Sequence, residues 1–222
     1  MNITPIRLLI AEDHKLVLQG YEQLLSNYED ISIVATASNY YDIIHKLQST
    51  VTDVLLLDLS MPVAFSNHQT RLSGLDILEY IKKGKLPVKV LVASTHRDYQ
   101  IIKNAIALGA KGYLFKNADI KELMEAIREV NQGKTYFQKE IKAILQSKQE
   151  DESRMAGDGI KVSPREKEIL QLLAEGLKGE EIAERLGLVK YTIEEYRSNL
   201  LKKFKAKNAT HLIKIACDQK FI

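Results

Sequence analysis

The chain has 222 residues, and this length predicts one domain of roughly 120–140 residues and a smaller second one. With 45% hydrophobic and 27% charged residues, its composition is that of a globular protein and excludes wholesale disorder. No apolar run approaches the roughly 20 residues that cross a bilayer, and residues 1–7 lack a secretory signal pattern, so we expect a cytoplasmic protein with no membrane partner.

The net charge of +3 is unevenly distributed along the chain. Residues 1–159 carry 19 basic and 20 acidic side chains, whereas residues 160–222 carry 13 and 9. The C-terminal excess permits a nucleic-acid partner without requiring one. The single Cys217 excludes an internal disulfide, and because it lies in an apolar helical stretch we expect it in the core.

Short apolar runs alternate with segments of helical periodicity in the first part of the chain. The runs span residues 6–11, 31–37, 54–57, 88–93 and 112–115. Five strands alternating with five helices predict an α/β fold whose parallel sheet is covered on both faces, since each parallel connection needs a crossover.

Polar and charged residues dominate the segment that follows, which we predict to be a linker over residues 138–159 between domains at 1–137 and 160–222. Ile141, Ile144 and Leu145 predict a helix in its first half, and Gly157-Asp158-Gly159 predicts flexibility in its second.

The last part contains signals for four short helices. Ser163, Pro164 and Glu166 form a capping box that starts the first. Further helices are predicted at about 180–186, 190–204 and 209–218, with a Gly187 turn before the third. This order is typical of a helix-turn-helix domain.

Polar side chains follow four of the predicted strands. They are Glu12 and Asp13, Asp58, Ser94 and Thr95, and Lys116. Because the carboxyl ends of parallel strands line one edge of a sheet, we expect these residues to converge. Carboxylates gathered there need a cation, and oxygen ligands favour Mg²⁺. A carboxylate in such a site can attack phosphorus, with the metal and the lysine offsetting the developing charge.

In order and spacing, four segments resemble the receiver domains of response regulators. They are Glu12-Asp13, Leu57-Asp58-Leu59-Ser60-Met61-Pro62, Val92-Ala93-Ser94-Thr95 and Gly109-Ala110-Lys111-Gly112-Tyr113-Leu114-Phe115-Lys116. The resemblance implies a flavodoxin-like, five-stranded, doubly wound sheet of order 2-1-3-4-5. It also implies that Asp58 is the phosphoacceptor and that Glu12, Asp13, Asp58 and the backbone carbonyl of Ser60 bind Mg²⁺.

The same resemblance assigns phosphoryl-binding and switch roles to four further residues. Lys116 is expected to pair with the phosphoryl group and Ser94, beside Thr95, to hydrogen-bond it, with Tyr113 following as the switch aromatic. The chain departs from the family at residues 63–73, where a longer loop replaces a short turn. This loop could be a lid, a kinase contact or a tolerated surface insertion.

Residues 160–218 resemble the LuxR-type helix-turn-helix, with helix 190–204 as the recognition helix. The residues that we expect to contact DNA are Lys190, Thr192, Glu194, Glu195, Arg197, Ser198, Lys202 and Lys203. Lys178 and Val189 stand at positions where the family commonly has a Ser or Thr cap, and Glu180, Glu194 and Glu195 are acids where basic or neutral residues are common. Glu194 or Glu195 could read cytosine, with Tyr191 and Tyr196 in apolar contact, or the domain could bind DNA weakly and rely on dimerisation or partner proteins.

Together the two domains resemble a NarL/FixJ-type response regulator, which is a transcription regulator rather than an enzyme. The resemblance implies a sensor histidine kinase, double-stranded DNA and a second copy of the chain as partners. An aspartyl-phosphate phosphatase would place a second carboxylate two residues after the nucleophile, where this chain has Ser60. A third possibility is a regulator that acts through protein contacts because its acidic helix no longer holds DNA.

Overall fold

The computed structural model describes residues 4–61, 74–154, 160, 162–188 and 190–222, with the backbone alone for 148–154. The predicted loop at 63–73, the glycine pair at 157 and 159, and Val189 lie outside these residues. The chain divides into two compact units, Met1–Leu145 and Gln146–Ile222. Among the described helices, none has the length and apolar character needed to span a bilayer.

The first unit alternates strands and helices as the sequence predicts. In chain order the elements are β1 (Ile6–Ala11), α1 (Lys15–Leu25), β2 (Ile31–Ala37), α2 (Tyr40–Ser49), β3 (Val54–Leu57), α3 (Gly74–Gly84), β4 (Lys89–Ser94), α4 (Tyr99–Ala107), β5 (Gly112–Phe115), α5 (Ile120–Asn131), β6 (Tyr136–Phe137) and α6 (Lys139–Arg154). Helix α6 continues past the boundary between the two units.

All the strands pair in parallel in the order β2-β1-β3-β4-β5-β6. The predicted order 2-1-3-4-5 is therefore confirmed, with one addition. Strand β6 lies beside β5, and its two residues are too few to produce a periodic sequence signal.

The core of this unit follows from the period of two along each strand. Leu8, Ile10, Leu56 and Leu91 point to one face, where they pack with α5 residues such as Ile127. Leu9, Ala11, Leu55 and Leu57 point to the other face and are buried as well, because helices cover both faces of the sheet. Each such side chain contributes about 1.5–3 kcal/mol through burial.

Strand register brings the carboxyl ends of β1, β3, β4 and β5 to one edge. Leu57 is the partner of Ala11, and Phe115 is the partner of Ser94. The hydrogen bonds continue one residue further, since the Asp58 N–H donates to the Ala11 carbonyl and the Lys116 N–H to the Ser94 carbonyl, both at 3.0 Å. The polar residues that follow the strands therefore begin at the same edge.

The second unit contains α7 (Pro164–Ala174), α8 (Gly179–Arg185), α9 (Lys190–Lys203) and α10 (Ala209–Asp218). The predicted capping box is present, with Ser163 and Glu166 bonded reciprocally at the start of α7. Gly187 precedes α9 with φ of 63°, a left-handed conformation that glycine adopts at no steric cost.

The buried residues of this unit form one cluster drawn from all four helices. Its members include Ile169, Ile182, Ile193, Leu200 and Leu212. The expectation that Cys217 lies in the core is wrong, because its side chain is exposed. Helix α10 buries Leu212 and Ala216, and the position after Ala216 turns towards solvent.

The close approach of β5 to its neighbours predicts a stability difference between two glycines. A Cβ at Gly112 would lie 2.5 Å from Leu91 Cδ1 and 2.9 Å from the Tyr136 carbonyl oxygen. We expect Gly112→Ala to lower the free energy of unfolding by about 1–3 kcal/mol, because a strand must move. At Gly20, in α1, a Cβ meets nothing within 4 Å. Gly20→Ala is the matched control and should raise stability by about 0.5–1 kcal/mol through helix propensity. Urea unfolding of the full chain measures both, and equal midpoints for the two variants would contradict the prediction.

Candidate functional site

Three carboxylates and one imidazole meet at the carboxyl edge of the sheet. Glu12, Asp13, His14 and Asp58 each place one ligand atom within 4.8 Å of the others. Glu12 and Asp58 are only 2% exposed, so little bulk water separates their charges. The predicted convergence of the acids that follow β1 and β3 is thus found.

Lys116 reaches this cluster from the end of β5. Its Nζ lies 2.7 Å from Glu12 Oε2 and 2.9 Å from Asp58 Oδ2. Burial alone would lower the pKa of Lys116, but its hydrogen bonds to the two carboxylates and their negative charges outweigh burial and raise it. The ammonium therefore stays protonated and bridges the two buried acids.

The donor set fits a divalent cation. Three carboxylates against one ammonium leave an excess of negative charge in the cluster. Asp13 Oδ1 is buried and, among the described residues, accepts no hydrogen bond, although His14 Nδ1 lies 2.9 Å away. An unsatisfied buried carboxylate oxygen facing other carboxylates is what a hard cation would satisfy.

His14 was not among the predicted site residues. Its ring nitrogen also lies 3.2 Å from Glu12 Oε1. The sequence did carry a signal, since His14 follows Asp13 directly after a buried strand.

Both oxygens of Asp58 are engaged. Oδ1 accepts the backbone N–H of Ser60 at 3.0 Å, and Oδ2 accepts from Lys116. These two bonds fix the carboxylate at the end of β3, beside the candidate metal ligands. A carboxylate fixed next to a cation site and a lysine has the surroundings that an aspartyl nucleophile requires.

Ser94 and Tyr113 meet through His96, a residue that the sequence analysis did not single out. The His96 N–H donates to Ser94 Oγ at 3.2 Å, and the Tyr113 hydroxyl donates to the His96 carbonyl at 3.1 Å. The His96 ring lies 3.2 Å from Ser60 Oγ, across the site. One residue therefore contacts both predicted switch residues and the loop after Asp58, whereas Thr95 is exposed.

Tyr113 points inward in this conformation. Its side chain is 0% exposed, and burial raises the pKa of its hydroxyl above the ordinary value, which a hydrogen bond with Ser94 only partly offsets. The tyrosine is therefore a neutral hydrogen-bond donor at any physiological pH.

The second group of predicted site residues lies on α9. Its inward face carries Ile193, Leu200, Tyr196 and Thr192. The sequence analysis expected Thr192 to contact DNA and gave Tyr196 as a possible apolar contact. Thr192 is 1% exposed and Tyr196 is buried, so neither side chain is available to contact DNA in this conformation. They share the buried face because positions 192, 193, 196 and 200 fall on one side of a helix.

The outward face of α9 carries Lys190, Glu194, Ser198 and Lys202, which are exposed and spaced four residues apart. Three predicted basic contacts are already bound to acids. Lys190 pairs with Glu180 at 2.5 Å, Arg197 with Glu194 at 2.7 Å, and Lys203 with Glu166 at 2.8 Å. Glu195 is half-buried.

Known families match both units. The family described as response regulator receiver domain matches residues 8–128, and the one described as bacterial regulatory proteins, luxR family, matches residues 161–216.

Similar proteins extend over nearly the whole chain. The oxygen regulatory protein NreC of Staphylococcus epidermidis is 32% identical over 223 residues, covering 98% of this chain and 99% of that protein. The NreC protein of Staphylococcus aureus is 32% identical over 222 residues, with the same coverage.

Solved structures with this architecture include RcsB of Salmonella enterica serovar Typhimurium bound to the promoter P1flhDC in the presence of the phosphomimetic BeF3⁻. It has a TM-score of 0.62 and 25% identity, and covers 96% of this chain and 98% of that one. The response regulator ChrA of a heme-sensing two-component system has a TM-score of 0.52 and 26% identity, covering 98% and 99%.

Removing one carboxylate should weaken cation binding. We expect Mg²⁺ to raise the melting temperature of the wild-type chain in a saturable way, because a ligand that binds the folded state stabilises it by mass action. In Asp13→Asn the Mg²⁺ concentration that gives half of this rise should increase at least about tenfold, since one hard ligand and its charge are lost. The control is Asp53→Asn, at the opposite end of β3, where the carboxylate pairs with Arg7. An Mg²⁺ response in Asp13→Asn equal to that of wild type would exclude Asp13 as a ligand.

Proposed function

This chain belongs to the response regulators that combine a receiver domain with a LuxR-type DNA-binding domain, and on that premise we propose that Asp58 accepts the phosphoryl group that controls its regulation of transcription. The single observation that carries the assignment is the position of Asp58. It is buried at the end of β3, bonded to Lys116 and within 4.8 Å of the acids after β1. Phosphorylation-dependent control of transcription is the function of the family, and the residues named below are our assignment of it.

The nucleophile is a carboxylate oxygen of Asp58. Attack on the phosphorus of a phosphohistidine forms an oxygen–phosphorus bond and breaks the nitrogen–phosphorus bond, which leaves the kinase histidine as the leaving group. Lys116, which now pairs with Asp58 and Glu12, would offset negative charge on the phosphoryl oxygens. Ser94, at the end of the adjacent strand, would donate its hydroxyl to them.

A divalent metal, Mg²⁺ in our proposal, would be held by Glu12, Asp13, Asp58 and the backbone carbonyl of Ser60. When bound, it would neutralise the excess of carboxylate charge and polarise the phosphoryl oxygens. The orphaned Asp13 Oδ1 is the observation that supports this role.

The switch would run from Ser94 to Tyr113 through His96. The Ser94 hydroxyl accepts the His96 N–H, and Tyr113 donates to the His96 carbonyl. If Ser94 turns to a phosphoryl group, the loop that begins at His96 loses one of its anchors. A local charge change would then bias a segment with two arrangements.

Strand β5 also connects the site with the proposed linker at residues 138–159. Gln138 precedes α6 and is buried, and its side-chain oxygen accepts the Phe115 N–H at 2.9 Å. The backbone N–H of Gln138 donates to the Tyr113 carbonyl, and its side-chain Nε2 donates to Glu122 Oε2. The first turn of α6 is thereby tied to the strand that carries both Tyr113 and Lys116. Movement of β5 would reach the linker through this residue.

The proposed partners follow from the two domains. A sensor histidine kinase would supply the phosphoryl group in the cytoplasm, and the phosphorylated chain would bind double-stranded DNA as a homodimer. The similar protein RcsB was solved bound to a promoter in the presence of a phosphomimetic. Among the described residues, Lys202, Lys205 and Lys207, towards the end of α9 and beyond it, are exposed and have no ion pair.

One observation favours the alternative of a regulator that acts by protein contact. Lys190 and Arg197 are each neutralised by a neighbouring glutamate, which lowers the charge available to DNA phosphates. The two candidates differ in a mobility-shift experiment on genomic fragments. Retardation that increases on phosphorylation supports DNA binding, and its absence at low salt with phosphorylated protein supports the alternative.

We expect the wild-type chain to gain one phosphoryl group from acetyl phosphate in the presence of Mg²⁺, and Asp58→Asn to gain none. Asp53→Asn, which makes the same change at the other end of the same strand, is the matched control and should be modified like wild type. Intact-mass measurement of the full chain checks all three proteins. An unchanged mass gain in Asp58→Asn would move the phosphoacceptor elsewhere, and equal labelling with and without EDTA would remove the metal from the proposal.

A further inference from the structure

The outward face of the recognition helix holds an acid that is bound within its own domain. Glu194 is the second member of the exposed row Lys190, Glu194, Ser198 and Lys202. Its Oε1 lies 2.7 Å from Arg197 Nη1, three residues further along α9. The carboxylate is therefore an intramolecular partner of a base on the same surface.

Gly179, at the start of α8, provides a second and independent restraint. A Cβ at this position would lie 2.6 Å from Glu194 Oε1 and 3.7 Å from Arg197 Nη1. The φ of Gly179 is not in the left-handed region, so backbone conformation does not require glycine here. What the missing side chain provides is space, which the Glu194 carboxylate and the adjacent Arg197 nitrogen occupy.

Together these contacts restrict Arg197. Its side chain is 31% exposed, and the contact with Glu194 uses one of the five N–H donors of a guanidinium. The donors on Nε and Nη2 make no hydrogen bond with the residues that the structure describes. The guanidinium of Arg197 therefore keeps two parallel N–H donors, on Nε and Nη2. Its contact with Glu194 restricts the rotation of the side chain.

We propose that Glu194 is a positioning residue that holds Arg197 for recognition of a guanine in the major groove. The inference rests on the proposed DNA-binding function and deepens it by naming a specificity-determining pair. Two parallel donors match the O6 and N7 acceptors of guanine, and restricting the fork beforehand reduces the conformational entropy lost on binding.

The chemistry of the pair favours a base edge over a phosphate. A phosphate next to Arg197 would also lie next to the Glu194 carboxylate, and the two anions repel. A guanine edge is neutral and does not suffer this repulsion. Among the residues that the structure describes, no acid pairs with the lysines at 202, 205 and 207. These lysines suit phosphates, which need only a point charge.

The other exposed pair of this surface differs in chemistry. Lys190 with Glu180 presents an ammonium, which lacks the planar fork and cannot make two parallel bonds to guanine. Among the described residues of α9, Arg197 is thus the one with a planar guanidinium whose orientation is restricted by a neighbouring carboxylate, that of Glu194.

The test compares the affinity of the phosphorylated full chain for two probes. One is a duplex selected by the wild-type protein from a random-sequence pool, and the other is a scrambled duplex of equal composition. The measured quantity is the ratio of the two affinities. Arg197→Lys keeps the charge but removes the fork, and should lower this ratio on the order of 10- to 100-fold while changing the affinity for the scrambled probe little.

Two variants test the positioning role of Glu194. Glu194→Ala should lower the ratio on the order of tenfold and raise the affinity for the scrambled probe, because a negative charge is lost. Gly179→Ala should lower the ratio similarly with no change of charge, since its Cβ displaces the flexible end of Glu194 rather than backbone. The double variant should be no worse than Glu194→Ala alone, because both changes remove the same interaction.

Glu184→Ala, which removes an exposed acid of α8, is the control for charge, and melting temperatures control for folding. It should raise the affinity for both probes alike and leave the ratio unchanged. If Glu194→Ala behaves in the same way, Glu194 only repels DNA and the inference is overturned. Wild-type protein that selects no duplex would instead defeat the proposed DNA-binding function, and with it this inference, before any variant is measured.

Discussion

The buried ammonium of Lys116 between Glu12 and Asp58 is the interaction on which the first unit depends. Two carboxylates in a nearly water-free site repel strongly, and the lysine makes their burial tolerable. The bridge also joins three strands, since Glu12 follows β1, Asp58 follows β3 and Lys116 follows β5. The sheet order places β4 between β3 and β5, so the lysine must reach across the edge above Ser94. Any group that draws Lys116 or Asp58 away acts at once on all of these strands.

That geometry explains why β5 is suited to transmit a change at Asp58. Strand β5 contains the buried Tyr113 and also Phe115, whose N–H donates to Gln138. Lys116 follows directly after the strand. The hydrogen bonds of Gln138 hold the start of α6 to the same strand. A displacement of Lys116 towards a phosphoryl group therefore alters a strand whose other edge carries the helix leading out of the unit. In the proposed switch, the connection would be this chain of specific hydrogen bonds, which would not require a large rearrangement of the core.

The sequence predicted those features that depend on local periodicity. Strand β3 is a continuous apolar run because both of its faces are buried, and Ser163 with Glu166 marks a helix start because the cap is local. Strand β6 and the contacts of His96 depend on pairing between distant segments, which periodicity does not report. For Thr192 and Tyr196 the signal existed, since they fall on the helical face of Ile193 and Leu200. Their burial on that face leaves little side-chain surface for the DNA contact that the family resemblance implies.

The acids of the two units lie in different dielectric surroundings, and this difference sets how strongly each acid interacts with a charged partner. Glu12 and Asp58 are shielded from water, so dissolved salt screens their negative charge only weakly. This charge favours the binding of a cation. Glu194 and Glu180 lie at the surface, where water and ions screen their pairs with Arg197 and Lys190. A surface pair is too weak to prevent DNA from approaching but strong enough to bias the orientation of a side chain. If Glu194 positions Arg197 as we propose, the negative charges on the recognition helix would reduce non-specific attraction to phosphate more than they reduce recognition of a base. A regulator with mild positive charge depends on that difference, because its discrimination between sites must come from contacts with bases rather than from overall attraction to the backbone.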